Sequence, residues 1–244
     1  MAGTPAGSER DDLSDLILRA AHPDGPRLRG MHAFDAELAA TYRAAVVLLG
    51  FTPTQGSGRP AVDLFLVQRS PLLRVHPGQI ALPGGRIEAT DATVVDAALR
   101  ETHEEIGLGP ERVAVLGALP PVLVPFSSFV VTPVIGWIDD PRSPGRTDVG
   151  EVWHTLRVPV ADLVDPDRRR TVDLAGVEAS GSAGFEVSSG WVWGFTGNLL
   201  DHVLTELGWA RTWDTSRRYV MPLAEARGQR VKAVPGDQTG ASSD

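Results

Sequence analysis

Cysteine is absent from the 244 residues, which removes disulfide frameworks, thiolate zinc sites, iron–sulfur clusters and cysteine nucleophiles together. Any metal must be held by oxygen or imidazole, and the absence fits a reducing compartment. Lysine is nearly absent as well: of 23 basic residues only Lys232 is not arginine, a bias that, with the abundance of Ala, Gly and Pro, reads as GC-rich bacterial coding. A cationic surface is also missing. The 31 acidic residues give a formal net charge of -8, which argues against the broad basic face used to bind nucleic acid. An anionic substrate therefore calls for a mediating cation. No apolar run reaches the roughly 18 residues that a membrane helix needs, the longest, 44–51 and 129–138, being strand-sized. Glu9, Asp11 and Asp12 precede Leu13 where a secretory leader would be basic and then apolar, so the expected location is the cytoplasm.

What is there suits an ordinary globular protein, with 42% hydrophobic and 22% charged residues and enough chain for a large core without staples. Residues 1–10 and 233–244 lack periodic apolar positions and are expected to be mobile, leaving a structured body of 11–232 read as one domain with an N-terminal helical extension. Leu13, Leu16, Ile17 and Ala20 predict an amphipathic helix over 12–21 that stops before Pro23. Strands are predicted at 44–50 and 62–67 as a hairpin-like pair around the loop 52–60. Val94, Val95, Ala98, Thr102 and Ile106 recur at helical spacing and predict a helix over 91–106, capped by Thr90 or Asp91 and closed by Gly107. Further strands are expected at 112–117, 129–137, 152–158, 171–174 and 185–187, with helices at 160–164 and 195–207. Strands and helices mixed without strict alternation predict an α/β or α+β sandwich rather than a doubly wound sheet. The run Arg168-Arg169-Arg170 reads as a solvated loop, and Trp209 and Trp213 as core.

The stretch that carries chemistry joins Leu82-Pro83-Gly84-Gly85-Arg86 to Arg100-Glu101-Thr102-His103-Glu104-Glu105-Ile106-Gly107-Leu108. On a helix, Glu101 stands three and four residues before Glu104 and Glu105, so the three carboxylates gather toward one side. Such like-charge pairs cost a helix about 0.2–0.5 kcal/mol each, which a divalent cation would offset, and hard oxygen ligands favour Mg²⁺ or Mn²⁺. Three glutamates on an arbitrary helix read as a solvated face with Arg100 as partner. The glycine pair just upstream changes that reading, because it lets backbone approach a metal or a phosphate. Other constellations fail: Gly107 stands where a zinc-protease helix starting at His103 needs its second histidine, and Phe126-Ser127-Ser128-Phe129 lacks the glycines of a nucleophile elbow.

At these residues the sequence resembles the Nudix hydrolase family. Gly85, Arg100, Glu101, Glu104, Glu105, Gly107 and Leu108 fit its box; Asp91 fills the early acidic position one residue farther from Arg100 than the box has it, and Thr102 replaces an apolar residue. Upstream, Leu66-Val67-Gln68-Arg69-Ser70, Arg74, Gly78 and Leu82-Pro83-Gly84-Gly85 are similar to the signature of Nudix enzymes that cleave coenzyme A, with Leu82 in place of an aromatic. The Asp91 spacing is similar to the same subgroup. Leu119-Pro120-Pro121, Val131-Thr132-Pro133-Val134 and Trp193-Gly194-Phe195-Thr196 extend the likeness to roughly 40–210.

The resemblance implies an α/β/α sandwich around a mixed β-sheet. It implies cleavage of the diphosphate of coenzyme A or an acyl-CoA to adenosine 3′,5′-bisphosphate and 4′-phosphopantetheine or its acyl form. Glu101, Glu104, Glu105 and a carbonyl of Gly85 or Gly84 would hold Mg²⁺ or Mn²⁺, with Arg100 orienting Glu101 and Glu151 as an extra base or ligand. Arg69 and Arg74, with Arg86 as a third candidate beside Gly84 and Gly85, would meet the phosphates, for which arginine's planar fork is suited. Two other readings stay open: hydrolysis of another nucleoside diphosphate derivative such as ADP-ribose, NADH or an oxidised dNTP, and a nucleotide-binding module without turnover. A homodimer is open by resemblance alone; no nucleic-acid or membrane partner is expected.

Overall fold

The computed structural model describes residues 7–54, 60–140, 150–177 and 181–227. Its elements run α1 (Gly7–Ala21), α2 (Ala36–Ala39), β1 (Arg43–Pro53), β2 (Val62–Arg69), β3 (Ile80–Ala81), β4 (Gly84–Arg86) and α3 (Val94–Ile106). They continue with β5 (Ala114–Ala118), β6 (Val122–Val124), β7 (Phe129–Trp137), β8 (Val152–Pro159), α4 (Val160–Leu163), β9 (Arg169–Leu174) and β10 (Ser182–Val187). The last are β11 (Gly190–Val192), α5 (Gly194–Glu206), β12 (Arg218–Met221) and α6 (Leu223–Ala226). In the larger sheet β3, β2, β1, β7 and β5 lie side by side, with β4 on β1, β6 on β7 and β8 on β2; a smaller sheet runs β11, β10, β9, β12. β1 and β7 are parallel, from Arg43 opposite Phe129 to Phe51 opposite Trp137, whereas β1 meets β2 and β4 antiparallel. The large sheet is therefore mixed.

Period-two alternation sends successive side chains of a strand to opposite faces. Val46 and Leu48 of β1, Phe65 and Val67 of β2 and Val134 of β7 join Ala97, Ala98 and Ile106 of α3 in one buried cluster. Leu49, Phe51, Leu64, Leu66, Ile135 and Trp137 face the other way, onto Leu13 and Leu16 of α1 and Leu199, Leu200 and Val203 of α5. Each fully buried side chain of this kind contributes about 1.5–3 kcal/mol, and helices cover both sheet faces in the expected α/β/α order. No described helix is long and apolar enough to cross a membrane.

Several boundaries differ from the sequence expectation. α1 starts at Gly7 and not at 12, because Glu9 turns inward, only 4% exposed, and accepts the Ala61 N–H at 3.1 Å; the segment expected to be mobile over 1–10 is thus helical from residue 7. Residues 1–6 and 233–244 lie outside the described residues. α3 starts at Val94, and its cap is Thr93 rather than Thr90 or Asp91: Thr93 Oγ1 accepts the Asp96 N–H at 3.1 Å and donates to the Asp96 carboxylate at 2.8 Å. Gly107 closes the helix in the left-handed conformation as expected, with φ of 69°. The strand expected over 112–117 starts at Ala114, because Pro110–Arg112 form a 3₁₀ turn bonded from the Val113 N–H to the Pro110 carbonyl. Within the arginine run expected to be solvated, Arg169 is 1% exposed.

Candidate active site

The glycine pair of β4 lies antiparallel to β1, with Gly84 opposite Val47 and Gly85 opposite Val46. Gly84 has φ of +155°, and a Cβ there would collide with the Val46 carbonyl oxygen, so a side chain is excluded by strain and by space. Its N–H donates to Glu105 Oε2 at 2.9 Å. At Gly85 a Cβ would sit 2.5 Å from the Glu101 carboxylate. The two glycines thus bring bare backbone against two of the three glutamates of α3.

Arg100 organises the rest. Its Nε and Nη2 reach the two Asp91 carboxylate oxygens, each at 3.0 Å, a bidentate pair. Nη1 donates to Glu101 Oε1 at 3.0 Å and Glu104 Oε2 at 3.2 Å, and Nη2 also to the Arg86 carbonyl at 3.0 Å. One guanidinium therefore gathers two of the candidate carboxylates and ties α3 to the loop before it. Asp91, whose place relative to the box is unusual, is the anchor of that guanidinium and not the helix cap; Arg100 holds its carboxyl below the usual range, helped by the Glu88 N–H.

The three glutamates differ in environment. Glu104 is exposed, Glu101 is part-buried and Glu105 is 3% exposed. Burial pushes Glu105 up to about 8 against the opposing effects of the Gly84 N–H and Arg69, with Glu101 and Glu151 adding repulsion. Burial also raises Glu101, although Arg100 acts in the other direction. The mutual influences place Glu101, Glu105, Glu151 and Arg69 in one electrostatic neighbourhood, with Glu151 exposed at the start of β8 and its carbonyl bonded to the Ser70 N–H at 2.7 Å. Among the described residues no three His, Asp or Glu side chains converge closely enough to hold a metal ion as they stand: Arg100 engages two of the carboxylates and Gly84 the third. The donor chemistry nevertheless fits a hard divalent cation, because a buried carboxylate whose charge is raised in energy by its surroundings gains most from a positive charge beside it.

The remaining predicted residues spread around this centre. Arg69 ends β2, half-buried, with Nε unpartnered among the described residues. Arg74 stands exposed in the following loop. Arg86 brings its carbonyl, not its charge, to Arg100, and its guanidinium sits 5.7 Å from the Phe129 ring centroid. Thr102, where an apolar residue was expected, is fully buried and donates to the Ala98 carbonyl at 2.6 Å, so its hydroxyl is satisfied inside the helix. Sequence reasoning missed the pairing of Asp91 with Arg100; the signal was Asp91 nine residues before an arginine, beyond the reach of any single-helix rule.

The NUDIX domain model matches residues 41–174. The chain belongs to the Nudix family. Curated relatives include the "Uncharacterized Nudix hydrolase NudL" of Salmonella paratyphi B and that of Salmonella newport, each 39% identical over 155 residues, covering 62% of this chain and 78% of the relative. Among solved structures, a Nudix hydrolase from M. smegmatis, RenU, is 25% identical with a TM-score of 0.38, over 48% of this chain and 70% of that one. As a Nudix hydrolase, the protein carries the family box on β4 and α3, where Gly84, Gly85, Arg100 and the three glutamates meet.

Proposed function

We propose that this Nudix hydrolase cleaves the diphosphate of coenzyme A or an acyl-CoA with Mg²⁺ or Mn²⁺, releasing adenosine 3′,5′-bisphosphate and 4′-phosphopantetheine or its acyl form, in the cytoplasm. The observation that carries the reading is Arg69: a guanidinium at the end of β2, within electrostatic reach of Glu105, at the head of the exposed loop that bears Arg74. In a chain of net charge -8, Arg69 near Glu105 and Arg74 exposed in the loop that follows offer positive charge to a triply phosphorylated nucleotide.

Glu101, Glu104 and Glu105 would hold the divalent cation, with a carbonyl of Gly84 or Gly85. When bound, the cation neutralises the diphosphate and acidifies a water. Arg100 fixes the orientation of Glu101 and Glu104, and the Gly84 N–H fixes Glu105. Glu151, just before β8 and electrostatically coupled to Glu101 and Glu105, or one of the three glutamates would take the proton of the attacking water. Arg69 and Arg74 orient the phosphates.

Incubation of the purified protein with Mg²⁺ or Mn²⁺ and, separately, coenzyme A, acetyl-coenzyme A, ADP-ribose, NADH and 8-oxo-dGTP tests the reading by chromatography of the products. Adenosine 3′,5′-bisphosphate from the coenzyme A samples, lost in Glu104→Gln, is the expected result. Cleavage of ADP-ribose or NADH in its place overturns the role given to Arg69 and Arg74, and no turnover of any substrate favours the binding module.

A further inference from the structure

Gln68 and Arg69 are consecutive in β2, so their side chains leave opposite faces of the sheet. Arg69 faces the α3 side and Glu105; Gln68 faces the small sheet, where it lines a cavity of about 590 Å³. That volume lies in the range of small-molecule sites. Gln68 is 1% exposed and Ser189, also in the lining, 4%. Gln68 Nε2 makes a long bond of 3.5 Å to the Gly78 carbonyl, while Gln68 Oε1 and Ser189 Oγ have no partner among the described residues. Buried side-chain polar atoms are almost always paired, so two unpaired ones on side chains of the same cavity wall point to a ligand that supplies both bonds.

The rest of the wall specifies its chemistry. Trp191 stacks on Tyr219, ring centroids 4.8 Å apart and planes 15° from parallel, and the Tyr219 hydroxyl donates to Glu225 at 2.7 Å, which fixes the pair. Trp193 adds a further aromatic ring. In the lining Arg170 stands against Glu186 and Glu225, so nothing there favours a dianionic phosphate. Flat aromatic surface selects a planar ring. The unpartnered amide oxygen of Gln68 asks for an N–H donor, and the Ser189 hydroxyl can donate in return to a ring nitrogen.

We propose that this cavity binds a nucleobase carrying an amino group, of the adenine type, held by stacking on the tryptophan wall and by bonds to Gln68 and Ser189. The base belongs either to the substrate, which then reaches around the 70–79 loop from the carboxylates, or to a separate nucleoside. The first source rests on the coenzyme A reading; the binding site itself does not.

Calorimetric titration of the full-length protein without divalent cation, using adenosine, with uridine and ribose 5-phosphate as comparators, isolates the site from turnover. Adenosine is expected to bind in preference to both, about tenfold more weakly after Gln68→Met or Trp191→Leu and several-fold more weakly after Ser189→Ala, with Glu104→Gln unchanged. Gln68→Met and Ser189→Ala remove unpaired polar atoms and keep the fold, so the test survives even if Trp191→Leu does not fold. No adenosine binding to the wild type, or binding insensitive to Gln68→Met and Ser189→Ala, overturns the proposal. With binding established, a raised KM for coenzyme A at unchanged kcat in Gln68→Met identifies the substrate's own base. An unchanged KM, with adenosine acting non-competitively, identifies a separate nucleoside. Failure of coenzyme A cleavage alone leaves the adenosine titration to be read by itself.

Discussion

Arg100 on α3 and Arg169 on β9 are both packed arginines, yet they do opposite things with the same guanidinium. Arg100, 23% exposed at its side chain, spends its donors on three carboxylates and a carbonyl; Asp91 first of all keeps it charged. Arg169 is 1% exposed and lies flat between rings, 3.9 Å from the Phe185 centroid and 4.4 Å from that of Trp213. Its charged partner is Asp201 at 2.6 Å, and its Nη1 has no hydrogen-bond partner among the described residues. Burial there works against the charge. Beside the candidate site arginine is a fork that sets other side chains in place; in the small sheet it packs against rings and is tied to Asp201 and the Gly184 carbonyl.

Substitutions separate these two uses. The largest effect is expected from Glu104→Gln, which removes a carboxylate that Arg100 binds and that is proposed to hold the cation: turnover in a product assay should fall about 10³-fold, while the melting temperature barely moves because Glu104 is exposed. Arg169→Ala should show the inverse, a loss of about 3 kcal/mol in denaturant unfolding with turnover per folded molecule unchanged. Arg169→Met should cost less than Arg169→Ala, because it refills the space beside the rings and leaves Asp201, 37% exposed at its side chain, within reach of water. If Arg169→Ala instead costs stability and kcat together, the two regions are coupled and the contrast is broken. Arg100→Lys keeps the charge but loses the fork, and is expected to lower turnover roughly 10–100-fold with a small change in stability.

The smallest effect per step is a pH slope, at most about 1.4 kcal/mol per pH unit. Glu105 ionises near 4.5 in the unfolded chain and near about 8 when buried. Between these values the native state holds the proton that the unfolded state has lost, so the contribution is complete below the lower value and disappears as pH rises through the upper one. The cation-free protein should therefore lose stability from pH 5 toward pH 8 relative to Glu105→Gln, measured by urea unfolding, and saturating Mg²⁺ should flatten the difference. A slope of the opposite sign would mean that Glu105 is already charged without a cation.

What could be read from residues alone follows the range of the interactions. The α3 helix, the left-handed Gly107 and the strands β1, β2 and β7 are set by neighbours within a few positions, and these were legible. Helical spacing also gave the expectation that Glu101, Glu104 and Glu105 gather toward one side; in the structure Arg100 holds Glu101 and Glu104 while Glu105 turns inward to the Gly84 N–H. The Asp91 to Arg100 pairing depends on how the loop returns to the helix, and the cap then falls to Thr93. Arg169 was misread because its surroundings come from Phe185, Asp201 and Trp213, all brought in by pairing between distant segments such as Thr171 with Arg218. Gln68 fell just past the strand expected over 62–67, and its unpartnered oxygen became visible only with the small sheet opposite it.

The adjacency of Gln68 and Arg69 limits how the gene can vary. Register in β2 already shifts against β8 between these two residues, a local irregularity of the kind that re-aims side chains. Losing or gaining one residue upstream within β2 would exchange the faces, sending the guanidinium among the tryptophans and the amide toward Glu105. Length changes in the 70–79 loop would leave both assignments intact at small entropic cost. Insertions and deletions in homologous sequences should therefore accumulate on one side of Arg69 and be purged on the other.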